Sequence, residues 1–159
     1  MTHVVDIDSN LSREKIYPLL KSQAEALVKD EPDLIANMAN LAALLKEALG
    51  FHWVGFYRVE GEDLVLGPFQ GPVACTRIKI PNGVCGACVQ QKKAILVPDV
   101  DKFEGHIACS SLSKSELVIP LIVEEEVLLI LDIDSSQLDD FSDLDLDNLT
   151  CILKFLSNK

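Results

Sequence analysis

The stretch SELVIPLIVEEEVLLILDIDSS, at positions 115–136, decides the fold of this chain. Two apolar runs rich in β-branched residues flank the acidic triplet Glu124–Glu126, a pattern typical of two strands joined by a short turn. Asp132 and Asp134 end the second run and lie two positions apart, so their side chains point to the same face of a sheet. The stretch therefore predicts a β-hairpin that carries a pair of acids on one face.

The rest of the chain predicts more strands, with helices at both ends. A second hairpin is expected from HWVGFYRVEG at 52–61 and DLVLGPFQG at 63–71, and two short strands from TRIKIP at 76–81 and AILVPD at 94–99. Helices are predicted at 12–29, 33–49, 83–93 and 141–158. Pro18 should kink the first helix or mark its true start, and Gly50 is a natural stop for the second. This order indicates a single α+β domain over 1–159, with helices packed on one face of a mostly antiparallel sheet.

Composition argues against several classes of function. The chain has 159 residues and a formal net charge of −11. Such acidity disfavours nucleic acids and anionic membranes as partners, because both reward basic patches. No apolar run reaches the roughly 18 residues that a membrane-spanning helix needs. The polar, acidic start MTHVVDIDSN is unlike a signal peptide, so a cytoplasmic location is expected.

Five cysteines in such a chain indicate free thiols rather than structural disulfides. Cys109 lies in a long loop, and His106, three residues away, could lower the pKa of its thiol. Taken alone, Cys109 is as consistent with an incidental position as with a catalytic one. Cys88 and Cys151 fall within predicted helices and are expected to be small buried hydrophobes.

The spacing of the possible ligands argues against a metal site. The motif C-G-A-C at 85–88 would need two further ligands at metal spacing, and the three histidines are scattered along the chain. A thioredoxin-like redox motif would need a βαβ frame, and no such pattern precedes Cys85. We therefore expect neither a metal nor a bound cofactor.

Two pairs of residues on the predicted strands are candidates for a binding site. Asp132 and Asp134 could be a solvated strand end, or they could bind an ammonium group or share a proton, since crowded and partly buried acids have raised pKa values. Trp53 and Tyr57 share one face of their strand, while Phe56 points to the other. Such aromatic residues form a core or wall a small-ligand pocket.

Eight segments and the spacing of three cysteines carry a resemblance to a known family. The segments are NLAALL at 40–45, WVGFY at 53–57, LVLGPFQG at 64–71, ACTRI at 74–78, GVCG at 83–86, FEGHIAC at 103–109, SELVIPL at 115–121 and LDIDS at 131–135. Together with Cys75, Cys85 and Cys109, at gaps of ten and twenty-four positions, they resemble the GAF-domain free methionine-(R)-sulfoxide reductases. The resemblance implies one GAF-like domain, with helices on one face of an antiparallel sheet and a ligand pocket on the other.

The resemblance also implies an activity and roles for the thiols. The expected reaction is the reduction of free L-methionine (R)-sulfoxide to L-methionine, through a cysteine sulfenic acid and an intramolecular disulfide. Cys109 resembles the attacking cysteine and Cys75 its resolving partner, while Cys85 resembles a third thiol that assists or forms an alternative disulfide. The implied reductant is thioredoxin, linked to NADPH, and the family suggests a homodimer.

Five further residues resemble the family's substrate-binding set. Trp53 and Tyr57 resemble the apolar wall around the methyl and thioether groups, and Glu116, Asp132 and Asp134 resemble the carboxylates around the sulfoxide and the amino group. Two alternatives stay open. One is a non-catalytic GAF sensor of a small ligand or of redox state. The other is a cysteine hydrolase, although nothing in the sequence marks a partner for a His106 base.

Overall fold

A computed structural model describes residues 7–8, 10–107 and 110–159 of the chain. Its strands are β1 (Trp53–Glu60), β2 (Asp63–Gln70), β3 (Arg77–Lys79), β4 (Ile95–Val97), β5 (Ser115–Val123) and β6 (Glu126–Ser135). They form an antiparallel six-stranded sheet in the order β3-β2-β1-β6-β5-β4. The predicted β5–β6 hairpin is confirmed. Glu124 and Glu125 form its two-residue turn with positive φ angles of 51° and 68°, as a type I′ turn requires.

Four helices accompany the sheet in the described part of the chain: α1 (Arg13–Val28), α2 (Leu34–Leu49), α3 (Gly83–Gln91) and α4 (Asp143–Leu153). Asp33 caps α2 by accepting a 2.8 Å hydrogen bond from the Ala36 amide, and Gly50 ends it at φ 69°. Pro18 lies inside α1 and does not mark its start. None of the described helices is long and apolar enough to cross a membrane.

The sheet has a different partner on each face. Val54 and Phe56 of β1 belong to a core shared with α1, α2 and α4, whereas Trp53 and Tyr57 belong to a second core shared with α3. The alternation predicted for β1 is therefore observed. The α+β prediction is also confirmed, with one refinement: three helices cover one face, and the short α3 lies on the other. We call this second side the α3 face.

The prediction for Cys151 was wrong. Its side chain is exposed, whereas Leu149, Ile152 and Leu153 of the same helix are buried. The buried positions follow steps of three and four, so they form one stripe along α4. Cys151 falls between two of these positions in sequence but on the opposite side of the helix, and its apolar neighbours in sequence gave a misleading signal.

Hydrogen bonds anchor the ends of β5 and β6 where the acids of interest lie. The Ser115 hydroxyl donates to the carbonyl oxygen of Gln137 at 2.7 Å, and the Ser135 hydroxyl donates to Asp140. Arg13 of α1 pairs with Asp140 at 2.7 Å and so connects the helical layer to the same loop. These contacts fix the strand ends next to Glu116 and Asp134.

Candidate active site

Three acids meet on the α3 face of the β5–β6 hairpin. Glu116 lies directly opposite Asp134 in the antiparallel register, and Val118 lies opposite Asp132. Because side chains alternate along each strand, Glu116, Asp132 and Asp134 share a face. Glu116 is 5% exposed and Asp132 is 7% exposed. The register thus brings together the three acids that the sequence singled out, and it buries charges that a solvated strand end would leave in water.

Helix α3 adds a thiol to these acids. A Cβ atom at Gly86 would lie 2.6 Å from the carbonyl carbon of Pro81, so glycine lets the helix approach the end of β3. Its Cys85 is buried, and the Cys85 thiol donates to Glu116 Oε1 across 3.9 Å. Cys88, one turn later, is fully buried as predicted and donates to a backbone carbonyl of β5.

His106 completes the cluster from the loop before β5. Its Nε2 atom lies 3.5 Å from Glu116 Oε2, and its amide donates to the carbonyl oxygen of Phe103. The sequence suggested His106 as a neighbour of Cys109, but not as a partner of Glu116. Ser113 was also missed: it hydrogen-bonds to Asp134. Neither contact leaves a sequence signal, because the loop has no periodicity and its path depends on the whole fold.

Burial raises the pKa of all three carboxyl groups. For Glu116 the charge of Asp134 adds to the effect of burial, and for Asp132 the charges of Glu116 and Asp134 do so. Burial raises the pKa of Asp134 to about 6, although the hydrogen bond from Ser113 and the charge of His106 counteract it. The cluster therefore retains protons near neutral pH and can act as a proton source.

The two thiols of α3 also retain their protons. Burial and the charges of Asp132 and Glu116 raise the pKa of the Cys85 thiol well above its usual range. The same causes raise the pKa of Cys88 to about 12. Because the thiolate is the nucleophilic form of cysteine, Cys85 in this setting is a hydrogen-bond donor rather than an attacking group.

A small cavity opens beside the cluster and encloses about 30 Å³, about the volume of one water molecule. The described residues that line it are Ile78, Asn82, Gly83, Val84, Cys85, His106, Ile107, Ser110, Ser113, Glu116, Asp132 and Asp134. The Asp132 side chain interacts with Cys85 and Glu116, but its Oδ1 atom is buried without a hydrogen-bond partner among the described residues. The cavity therefore offers a free acceptor to a cation or a donor group, at a point where protons are also held.

The two predicted aromatic residues lie on the same face, and Trp53 lies directly opposite Asp134 in the register of β1 and β6. Trp53 donates from Nε1 to the carbonyl oxygen of Pro72 at 3.0 Å, and its ring lies where a Cβ atom at Gly55 would clash at 2.3 Å. Tyr57 donates its hydroxyl to the carbonyl oxygen of Cys75 at 2.9 Å. Neither aromatic residue is among those that line the cavity, so their role as a substrate wall stays a prediction.

The structure describes two of the three thiols of the expected reaction, Cys75 and Cys85. Cys75 is half-buried in the loop between β2 and β3 and packs against the core of the α3 face. Cys75, Cys85, Cys88 and Cys151 are free thiols. Cys109 lies outside the described residues, and its predicted role as the attacking cysteine stays a prediction.

The raised pKa of Asp134 predicts a pH-dependent effect of Asp134→Asn on stability. The folded-state pKa of about 6 exceeds the ordinary value of 3.8, so ionisation of Asp134 destabilises the fold progressively from about pH 4 to pH 6 and fully above that. The pKa shift of about two units predicts that the variant is more stable than the native chain by about 3 kcal/mol at pH 7, and no more stable below pH 4. Urea unfolding at both pH values measures this. The exposed Glu104→Gln serves as the control, and an equal effect of Asp134→Asn at both pH values would contradict the burial argument.

Comparison with known proteins agrees with this architecture. The GAF domain family matches residues 33–158. A GAF domain-containing protein A from Dictyostelium discoideum is 54% identical over 148 residues, which cover 92% of this chain and 94% of the relative. A free methionine-R-sulfoxide reductase from Escherichia coli is 43% identical over 136 residues, with 85% of this chain and 82% of the relative covered.

A solved structure extends the similarity to nearly the whole fold. The free methionine-R-sulfoxide reductase from Neisseria meningitidis, solved in complex with its substrate, is 43% identical and superposes with a TM-score of 0.94. The match covers 99% of this chain and 94% of that one. The resemblance drawn from the sequence is thereby confirmed. The chain belongs to the GAF-domain family and, within it, to the free methionine-R-sulfoxide reductases.

Proposed function

We propose that this protein reduces free methionine (R)-sulfoxide to methionine. The observation that carries the proposal is the cluster of acids with raised pKa values around a small cavity. The similar proteins named free methionine-R-sulfoxide reductase support the same activity. A passive GAF sensor would not need three crowded carboxyl groups, since an uncompensated buried charge is costly. The enzyme is therefore preferred over the sensor.

The acids are suited to protonating the sulfoxide oxygen, which is the difficult step in reducing a sulfoxide. The sulfoxide oxygen must gain a proton before it can leave sulfur, and a carboxyl group with a raised pKa can donate that proton. In the proposed reaction the Cys109 thiolate attacks the sulfur, and Glu116, Asp132 or Asp134 supplies the proton. The oxygen ends on Cys109 as a sulfenic acid, and the two-electron reduction releases methionine.

A second thiol then regenerates Cys109. Condensation of the sulfenic acid with a thiol gives a disulfide and water. We assign this role to Cys75, because Cys85 lies in the acid cluster where its thiol is held protonated. Cys85 is then an assisting group that donates to Glu116. An external dithiol resets the disulfide by exchange, and thioredoxin with its NADPH-linked reductase is the proposed reductant.

The same acids account for a preference for the free amino acid. A free α-ammonium group is a charged donor that can pair with buried carboxylates, whereas a methionine sulfoxide residue within a protein lacks that group. We further propose that the enzyme works as a homodimer without a bound cofactor. Because the reaction needs reduced thiols, the proposed location is a reducing compartment such as the cytoplasm.

A coupled assay tests the proposed function. NADPH consumption with thioredoxin and its reductase should be rapid with free methionine (R)-sulfoxide and at background with the free (S) form. A peptide that contains methionine sulfoxide should be a poor substrate. Absence of turnover with the free (R) form would reject the proposed reaction, and equal turnover of the peptide would reject the role of the acids in binding the ammonium group.

Cys75→Ser should separate the chemical step from recycling. Each enzyme molecule should release about one methionine and then stop, because the sulfenic acid on Cys109 has lost its proposed partner. Rapid-quench analysis of methionine, alongside steady-state NADPH consumption, measures both quantities. Cys151→Ser is the matched control, since this thiol is exposed on α4 and should keep full turnover. Full thioredoxin-coupled turnover by Cys75→Ser would reject Cys75 as the resolving thiol.

A further inference from the structure

The acid cluster on the α3 face has the composition of a transition-metal site. Atoms of Cys85, Glu116 and Asp132 that can bind a metal all lie within 4.8 Å of one another, and all three residues are buried. Sulfur with carboxylate oxygen is a ligand set that suits Zn²⁺ and related thiophilic cations, whereas Mg²⁺ and Ca²⁺ prefer oxygen alone. No local sequence pattern indicates this ligand set, because its members come from α3, β5 and β6.

The distance between two of these ligand atoms is close to that in a metal site. Tetrahedral zinc with bonds of about 2.3 Å to sulfur and 2.0 Å to oxygen separates the two ligand atoms by about 3.5 Å. The Cys85 Sγ–Glu116 Oε1 distance is 3.9 Å, so a shift of a few tenths of an ångström would suffice. The adjacent cavity of about 30 Å³ leaves room for an ion or a water ligand.

One buried oxygen atom points to a ligand in this place. Asp132 is 7% exposed, and its Oδ1 atom is buried without a hydrogen-bond partner among the described residues, although a buried carboxylate oxygen normally has one. His106 Nε2 lies 3.5 Å from Glu116 Oε2, whereas Cys85 contacts the other carboxylate oxygen, Oε1. Histidine and carboxylate partners of this kind orient metal ligands from the outer shell.

We propose that Cys85, Glu116 and Asp132 bind a thiophilic divalent cation such as Zn²⁺, which displaces the protons that these groups otherwise hold, with His106 as a positioning residue that orients Glu116. The fourth position faces the cavity and is open to water. The bound ion occupies the acids that the proposed reaction uses, so it should compete with methionine sulfoxide. This competition rests on the proposed function, whereas the binding itself does not.

Cobalt titration of the reduced full-length protein in a phosphine reductant tests the site. Co²⁺ should bind with a sulfur-to-cobalt charge-transfer band and intense visible bands of a four-coordinate ion, and Zn²⁺ should displace it. Cys85→Ser should abolish the charge-transfer band. Cys88→Ser and Cys151→Ser are matched controls that should retain it. His106→Gln should weaken Zn²⁺ about tenfold or more in competition with Co²⁺.

Two results would overturn the proposal. One is the absence of a charge-transfer band in the native chain. The other is a full band in Cys85→Ser, because the sulfur ligand would then be a different cysteine. Circular dichroism checks that each variant is folded. If Cys85→Ser does not fold, the isosteric Asp132→Asn replaces it and should weaken Zn²⁺ at least tenfold, while unchanged affinity would overturn the proposal. The titration uses no methionine sulfoxide, so its failure and the failure of the proposed reaction can be told apart.

Discussion

Cys109→Ser should reduce the formation of methionine from free methionine (R)-sulfoxide to background, a loss of about a thousandfold or more. A serine hydroxyl is ionised far less than a thiol at neutral pH and does not form the sulfenic acid that receives the oxygen. The loss should appear in single-turnover experiments as well as in the coupled assay. That behaviour separates Cys109 from Cys75, whose replacement should preserve the first release of methionine.

The control for this experiment is Cys151→Ser, because Cys151 is exposed on α4. It should match the native rate within about twofold. A burst of one methionine per enzyme from Cys109→Ser would show that another thiol attacks the sulfoxide. Alkylation by iodoacetamide, followed by peptide mapping, gives a second measurement: in the reduced folded protein Cys109 should be labelled well before the buried Cys85 and Cys88.

Glu116→Gln should lower kcat by about a hundredfold to a thousandfold, with a smaller effect on KM. Glu116 lies at the centre of the cluster, between the Cys85 thiol at 3.9 Å and His106 at 3.5 Å. An amide preserves the shape of the side chain but cannot donate a carboxylic proton. Steady-state kinetics with free methionine (R)-sulfoxide from pH 5 to pH 9 measures the effect.

The pH profile gives this variant a second signature. The charge of Glu116 is one of the causes that raise the pKa of Asp132, so its removal should lower that pKa. Any residual activity that uses Asp132 as the acid should then decline at a lower pH than in the native enzyme. Glu104→Gln, on an exposed turn, should change neither kcat nor the profile. A native kcat in Glu116→Gln at neutral pH would rule out Glu116 as the proton donor.

Local patterns in the sequence predicted most of the secondary structure. The apolar spacing of α2, with Asp33 and Gly50 at its ends, was sufficient to predict this helix, because a helix is defined by contacts between residues within one turn. The two hairpins were predictable for a similar reason, since alternation and turn residues are local. The effect of Pro18 on α1 was harder to predict, because tertiary packing can maintain a helix through a proline that would end an isolated helix.

Contacts between elements were less predictable. The sequence singled out Cys85 and the three acids separately, but their meeting depends on α3 crossing the face of β5 and β6. Cys151 shows the same limit, since apolar neighbours in sequence did not reveal which side of α4 faces the core. The family resemblance predicted that these residues share one site, which local patterns could not do. Members of a family share their tertiary packing as well as their sequence motifs.

The chain alone thus determined the elements, their order, the shared parity of Asp132 and Asp134, and the family to which the protein belongs. Only the tertiary structure decided that Glu116 lies opposite Asp134, that His106 contacts Glu116, and that Glu116 is buried and Asp134 half-buried, both with raised pKa values. The physical reason is the separation along the chain over which each effect acts. Periodicity and turn chemistry depend on residues only a few positions apart. Burial and the repulsion between charges depend on groups that the fold brings together from distant parts of the chain.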